Sequence, residues 1–65
     1  MREIELGALF RKVAGRGQPV WRVAAQLRHT VLPHVKLTQV DAPATQMTVS
    51  VVTLTDRRFF QRVTD

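Results

Sequence analysis

The chain has 65 residues, 45% of them hydrophobic and 6% aromatic, with no cysteine. That length accommodates one small domain over residues 1–65, since domains start near ~50 residues, and it excludes Rossmann or (β/α)-barrel enzymes. Ten basic against five acidic side chains give +5 at pH 7, which favours anionic partners, and without cysteine neither a disulfide framework nor a thiolate metal site can form.

Residues 1–32 carry six basic and two acidic side chains and residues 33–65 carry four and three, so an anion-facing surface is expected to lean on the first half. A solvated surface explains the same charge without any ligand. Met1-Arg2-Glu3-Ile4-Glu5 is charged and no apolar run exceeds three residues, so neither a signal h-region nor a membrane span is expected. The reading is a cytoplasmic protein with no membrane partner. Phe10, Trp21, Phe59 and Phe60 are the four aromatics, so the core is expected to be aliphatic. A domain this short buries only ~60% of the surface its unfolded chain exposes, and its stability is expected to be small.

Valine, isoleucine and threonine make up 18 of the residues, a bias toward side chains that sit well on a pleated sheet. Turn-forming residues divide the chain into five apolar runs at 4–13, 20–28, 34–40, 47–52 and 58–63, each expected to be a strand. In the first, Gly7-Ala8-Leu9-Phe10 reads apolar on both faces, and Gly7 is expected to mark a bulge. Gly15-Arg16-Gly17 then supplies either a hairpin turn with positive φ or a flexible, cationic phosphate cradle; no P-loop pattern exists. In the second run Trp21, Val23, Ala25 and Leu27 form an apolar face that alternates with a mixed one of Val20, Arg22, Ala24, Gln26 and Arg28, which assigns Trp21 to the core.

A helix over 19–32 is the competing reading and would make the fold α+β. Val20, Val23, Ala24, Leu27 and Val31 also recur at helical spacing, with Pro19 placed to start the helix and Pro33 to stop it. The strand is preferred because Val20, Trp21, Val23, Thr30 and Val31 are weak helix formers and the other runs read as strands. In the third run Val35 and Leu37 oppose His34, Lys36 and Thr38; in the fourth Met47, Val49 and Val51 oppose Thr48 and Ser50. Residues 50–56 read as a strand leaving into a single 3₁₀ or helical turn, with Leu54 plugging a barrel end and Asp56-Arg57-Arg58 forming a charged corner. Neighbours in a strand point to opposite sides, so one of Phe59 and Phe60 must leave the core. Alternation with Val63 assigns Phe59 inward and lines up Arg58, Phe60 and Arg62 outside; the reverse orientation would bury Phe60.

Five short strands, Gly7-x-x-Phe10 and a one-turn helix before the last strand together resemble SH3-like small barrels. Leu9-Phe10-Arg11-Lys12, Pro33-His34-Val35, Thr48-Val49-Ser50 and Leu54-x-Asp56-Arg57-Arg58-x-Phe60 look like stretches of short uncharacterised bacterial proteins with that shape. The resemblance implies an all-β, five-stranded small barrel. Members of that fold bind RNA, DNA, methylated tails or proline-rich peptides, so it leaves function open. Proline-rich ligands are disfavoured here, because their groove needs exposed aromatics including tyrosine, and the chain has no Tyr.

Candidate chemistry is sparse. His29 and His34, with Glu3, Glu5, Asp41, Asp56 and Asp65 scattered, match no metal-ligand spacing, so no metal or other cofactor is expected. Ser50, the single serine, sits among valines without a nucleophile elbow and reads as a strand hydroxyl. Glu3 and Glu5 share a strand face but read as solvated charges. The expectation is a non-catalytic module that binds RNA or single-stranded DNA through Arg11, Lys12 and Arg16 near the first hairpin, Arg22 and Arg28 on the second strand, and an Arg58, Phe60, Arg62 stripe on the last. The alternative is a protein-interaction module that docks another chain through Phe60 and its open sheet edges.

Overall fold

The computed structural model describes residues 4–28 and 31–64. Five strands form one antiparallel sheet: β1 (Leu9–Lys12), β2 (Val20–Leu27), β3 (His34–Gln39), β4 (Ala42–Ser50) and β5 (Phe60–Val63), in the order β4-β3-β2-β1-β5. A single helical turn, α1 (Val51–Leu54), separates β4 from β5. The all-β small-barrel expectation holds, with the sheet left open between β4 and β5. Residues 20–27 are extended, so the helix considered over 19–32 does not form there; His29 and Thr30 lie outside the described residues.

One face of the curled sheet carries the core. Phe10 pairs with Trp21, Val23 with Leu37, and Gln26 with Val35, so side chains from three strands stack inward. Ile4, Leu54 and Phe60 complete the buried set, and Leu54 is only 1% exposed, as expected of a plug. Three of the four aromatics are therefore buried, and the aliphatic core expected from composition is instead a mixed one.

Alternation along β2 is interrupted. Val23 pairs with Leu37, but Ala25 pairs with Lys36, so Ala24 is an extra residue in the ladder. One inserted residue exchanges the two faces beyond it. Trp21 and Val23 thus point inward as expected, whereas Ala25 and Leu27 turn outward and Gln26 takes the inner position, where its amide donates to the Ile4 carbonyl. The bulge expected at Gly7 therefore lies in β2. Gly7 has φ 87° in the turn before β1, and its N–H donates to Val23 O beside the real bulge at 2.8 Å.

Element ends depart from the apolar runs where polar residues extend a strand. β4 begins at Ala42, well before Met47, because Val40-Asp41 makes a tight turn that lets Gln39 pair with Ala42. Pro43 is tolerated because β4 is an edge strand and an edge leaves alternate N–H groups unpaired. Val51 and Val52, expected to end the fourth strand, form α1. Ser50 initiates it: its hydroxyl accepts the Thr53 N–H at 3.1 Å, the standard N-cap bond. The single serine, expected as a strand hydroxyl, ends β4 and caps α1.

Candidate nucleic-acid interface

The outer face of the sheet can be read from the strand registers. Arg22 pairs with Leu9 on one side and Thr38 on the other, Arg11 pairs with Val20 and Gln61, and Lys36 pairs with Ala25 and Thr48. Paired residues share a face, so Arg11, Arg22 and Lys36 all lie on the side opposite Phe10, Trp21 and Leu37. Each is offset by two residues from the next on the adjacent strand. They therefore step diagonally across β1, β2 and β3, with backbones about 7–8 Å apart. Arg11 and Arg22 are exposed and Lys36 is half-buried. No strand of the sheet contains Asp or Glu, and the nearest described carboxylate to the row is Asp41, in the turn beside Arg11.

The row ends on an aromatic. Val13 N–H donates to Phe59 O at 3.0 Å, which continues the β1–β5 register one step beyond the strands and places Val13 opposite Phe59 on the outer face. Phe59 is 51% exposed and Phe60 6%. The inward assignment of Phe59 and outward assignment of Phe60 are thus reversed: Phe60 pairs with Lys12, on the same side as Phe10, and belongs to the core. The pairing of Val63 with half-buried Leu9 explains the error, since Val63 is an outer-face residue and alternation from it leads to an outer Phe59.

The Arg58, Phe60, Arg62 stripe consequently does not exist as an exposed surface. Arg58 is held at the corner by Asp56, with Nη2 to Oδ2 at 2.7 Å and Nε to Oδ1 at 3.1 Å, and its guanidinium lies 5.5 Å from the centroid of the Phe59 ring. The Asp56 carboxyl is lowered from 3.8 to about 2, first by the Arg58 side-chain hydrogen bonds and then by the Arg58 backbone N–H. The same pair raises Arg58. Arg62 faces inward at the edge, 5.9 Å from the Phe10 centroid.

The remaining sequence-predicted cations are dispersed. Lys12 is exposed at the end of β1 on the side of Phe60. Arg28 follows β2 and donates to Gln26 Oε1 at 2.7 Å. Arg16 is exposed in the first hairpin, where Gly15 and Gly17 have φ of 83° and 67°. The glycines thus serve the turn. Asp41 shares the cleft beside Gly17 with Arg11, and a carboxylate there opposes a phosphate, which disfavours the cradle. Of the eight predicted contacts, the structure brings Arg11 and Arg22 together on one face. Lys36 and Phe59 join them; Lys36 was visible as the charged member of the polar side of its run, but pairing to Arg22 depends on the register.

Among the described residues, no three His, Cys, Asp or Glu side chains converge. His29, Glu3 and Asp65, weighed as ligands or acid–base groups, lie outside the described residues. No helix is long and apolar enough to cross a membrane among the described residues. Comparisons with protein-family models, curated proteins and solved structures return no match to this chain.

Proposed function

We propose that the chain is a non-catalytic module that binds single-stranded nucleic acid, RNA or DNA, across the outer face of its sheet. The observation that carries this reading is the diagonal of Arg11, Arg22 and Lys36 leading to exposed Phe59. Three cations spaced along one line suit a phosphate backbone, and a half-exposed ring at its end can stack a base of any sequence. From β5 to β3 the face spans three strand spacings, about 14 Å, enough for a short stretch of single strand. Thr38, Thr48 and Gln46 on the same face supply neutral hydrogen-bonding groups. Among the described residues no long helix is present to enter a major groove, which favours a single strand over a duplex read by sequence.

The test is binding of a labelled uridine oligonucleotide followed by anisotropy between about 50 and 200 mM salt. Neutralising three phosphates predicts a log–log slope of about −2 for a single strand. Lys36→Glu is expected to weaken binding and flatten the slope without lowering the melting temperature. Binding that is absent at low salt, or indifferent to charge reversal at Arg11, Arg22 and Lys36, refutes the proposal.

A further inference from the structure

The open side of the sheet holds a second surface of different chemistry. A groove of about 590 Å³ runs beside β5, lined by exposed Val13, by the buried Phe10, Leu54 and Phe60 beneath, and by Arg57 and Arg62. Among the described residues no carboxylate lines it, and neither guanidinium is in an ion pair. The surface is therefore apolar beneath and cationic above.

The backbone of β5 adds a directional element. Val13 donates to Phe59 O, so in the alternating antiparallel pattern Gln61 and Val63 exchange hydrogen bonds with β1 while Arg62 does not. The Arg62 N–H and C=O consequently face the open edge, on the strand that lines the groove. The Phe60 N–H is already taken by Asp56 O at 3.1 Å, so among the described strand residues Arg62 is the one that turns both its N–H and its C=O to this edge.

We infer that this groove receives an extended acidic peptide segment, an apolar residue flanked by Asp or Glu, which adds beside β5. Main-chain bonds to Arg62 would hold the strand, the apolar side chain would pack against exposed Val13 above the buried Leu54 and Phe60, and the flanking carboxylates would meet Arg57 and Arg62. Charge complementarity selects this occupant: a second copy of this chain, at +5 and with no acidic residue in any strand, would bring like charges together.

The probe is a labelled, end-capped peptide carrying leucine or valine between glutamates, compared with the same peptide having serine at the apolar positions. The leucine peptide is expected to bind, to protect the Arg62 amide from hydrogen exchange, and to lose about tenfold in affinity in Arg57→Glu. Lys36→Glu, on the opposite face, is expected to leave peptide binding unchanged while weakening the oligonucleotide, so the two proposals fail separately. Equal binding of the serine peptide, indifference to Arg57→Glu, or protection of the Arg62 amide by the oligonucleotide instead of the peptide would overturn the inference.

Discussion

Val13 and Phe59 face each other across the β1–β5 pair through a single 3.0 Å main-chain bond, and that bond decides which of two adjacent phenylalanines is available to a ligand. Because the register continues through it, Phe59 shares the outer face with Arg11 and Phe60 falls inside with Phe10. Phe60→Ala is expected to cost about 3–5 kcal/mol, enough to unfold much of a domain this small. Phe59→Ala is expected to leave the thermal midpoint nearly unchanged and to weaken oligonucleotide binding by about 1–3 kcal/mol. Parallel thermal melts and titrations of the two variants check this, and early melting of Phe59→Ala would remove the ring from the proposed interface.

The strand periodicities made most of the fold legible, because alternation in runs such as Val35 and Leu37 against Lys36 and Thr38 needs only local sequence. Positions that depend on a partner strand were not legible. Ala24 looks like any alanine in an alternating run, yet its insertion opposite the Leu37–Lys36 step turns Leu27 out and Gln26 in. The phenylalanine pair failed for the same reason: Val63 was apolar enough to seem a core residue, but its partner Leu9 lies on the outer face. Likewise Arg11 and Arg22 could be picked out as exposed cations, while their alignment with Lys36 is a property of three registers together.

Trp21 is buried between its partners Phe10 and Gln39, and its indole N–H has no hydrogen-bond partner among the described residues. Its contribution is therefore volume and apolar area, not a polar contact. Trp21→Ala is expected to cost about 3–5 kcal/mol, whereas Trp21→Phe keeps a ring and removes an unsatisfied donor, and should cost much less. Urea denaturation followed by far-ultraviolet circular dichroism compares them. Equal losses in the two variants would mean that the indole N–H contributes after all.

Ser50 joins β4 to α1, and its hydroxyl both accepts the Thr53 N–H and donates to Thr53 Oγ1 at 2.9 Å. The turn it caps positions Leu54, the plug of the core. Ser50→Ala is expected to lower stability by about 1 kcal/mol, and Ser50→Asp to retain most of it, because aspartate also caps. Chemical denaturation is the measurement. A Ser50→Asp variant as unstable as Ser50→Ala would show that the Thr53 hydroxyl contact, and not the cap, carries the effect.

Asp56 makes the corner that returns the chain into β5: its carboxylate accepts the Arg58 backbone N–H at 2.9 Å and the Arg58 guanidinium, and its carbonyl accepts the Phe59 and Phe60 N–H groups. Hydrogen bonds from Arg58 hold the carboxyl at about 2, below the ordinary value of 3.8. A depressed folded-state value means that the ionised form is the one favoured by folding, so this contribution is complete above about 3.8 and is lost as pH falls toward about 2. Asp56→Asn keeps an oxygen for the Arg58 N–H but removes the charge. The difference in melting temperature between wild type and Asp56→Asn is therefore expected to be level above pH about 4 and to shrink steadily below it. Because the pair is solvent-exposed, added salt should also reduce that difference. Thermal melts across this pH range at low and high salt provide the measurement; curves for the two proteins that stay parallel down to pH about 2 would show that the carboxylate's charge contributes nothing to the corner.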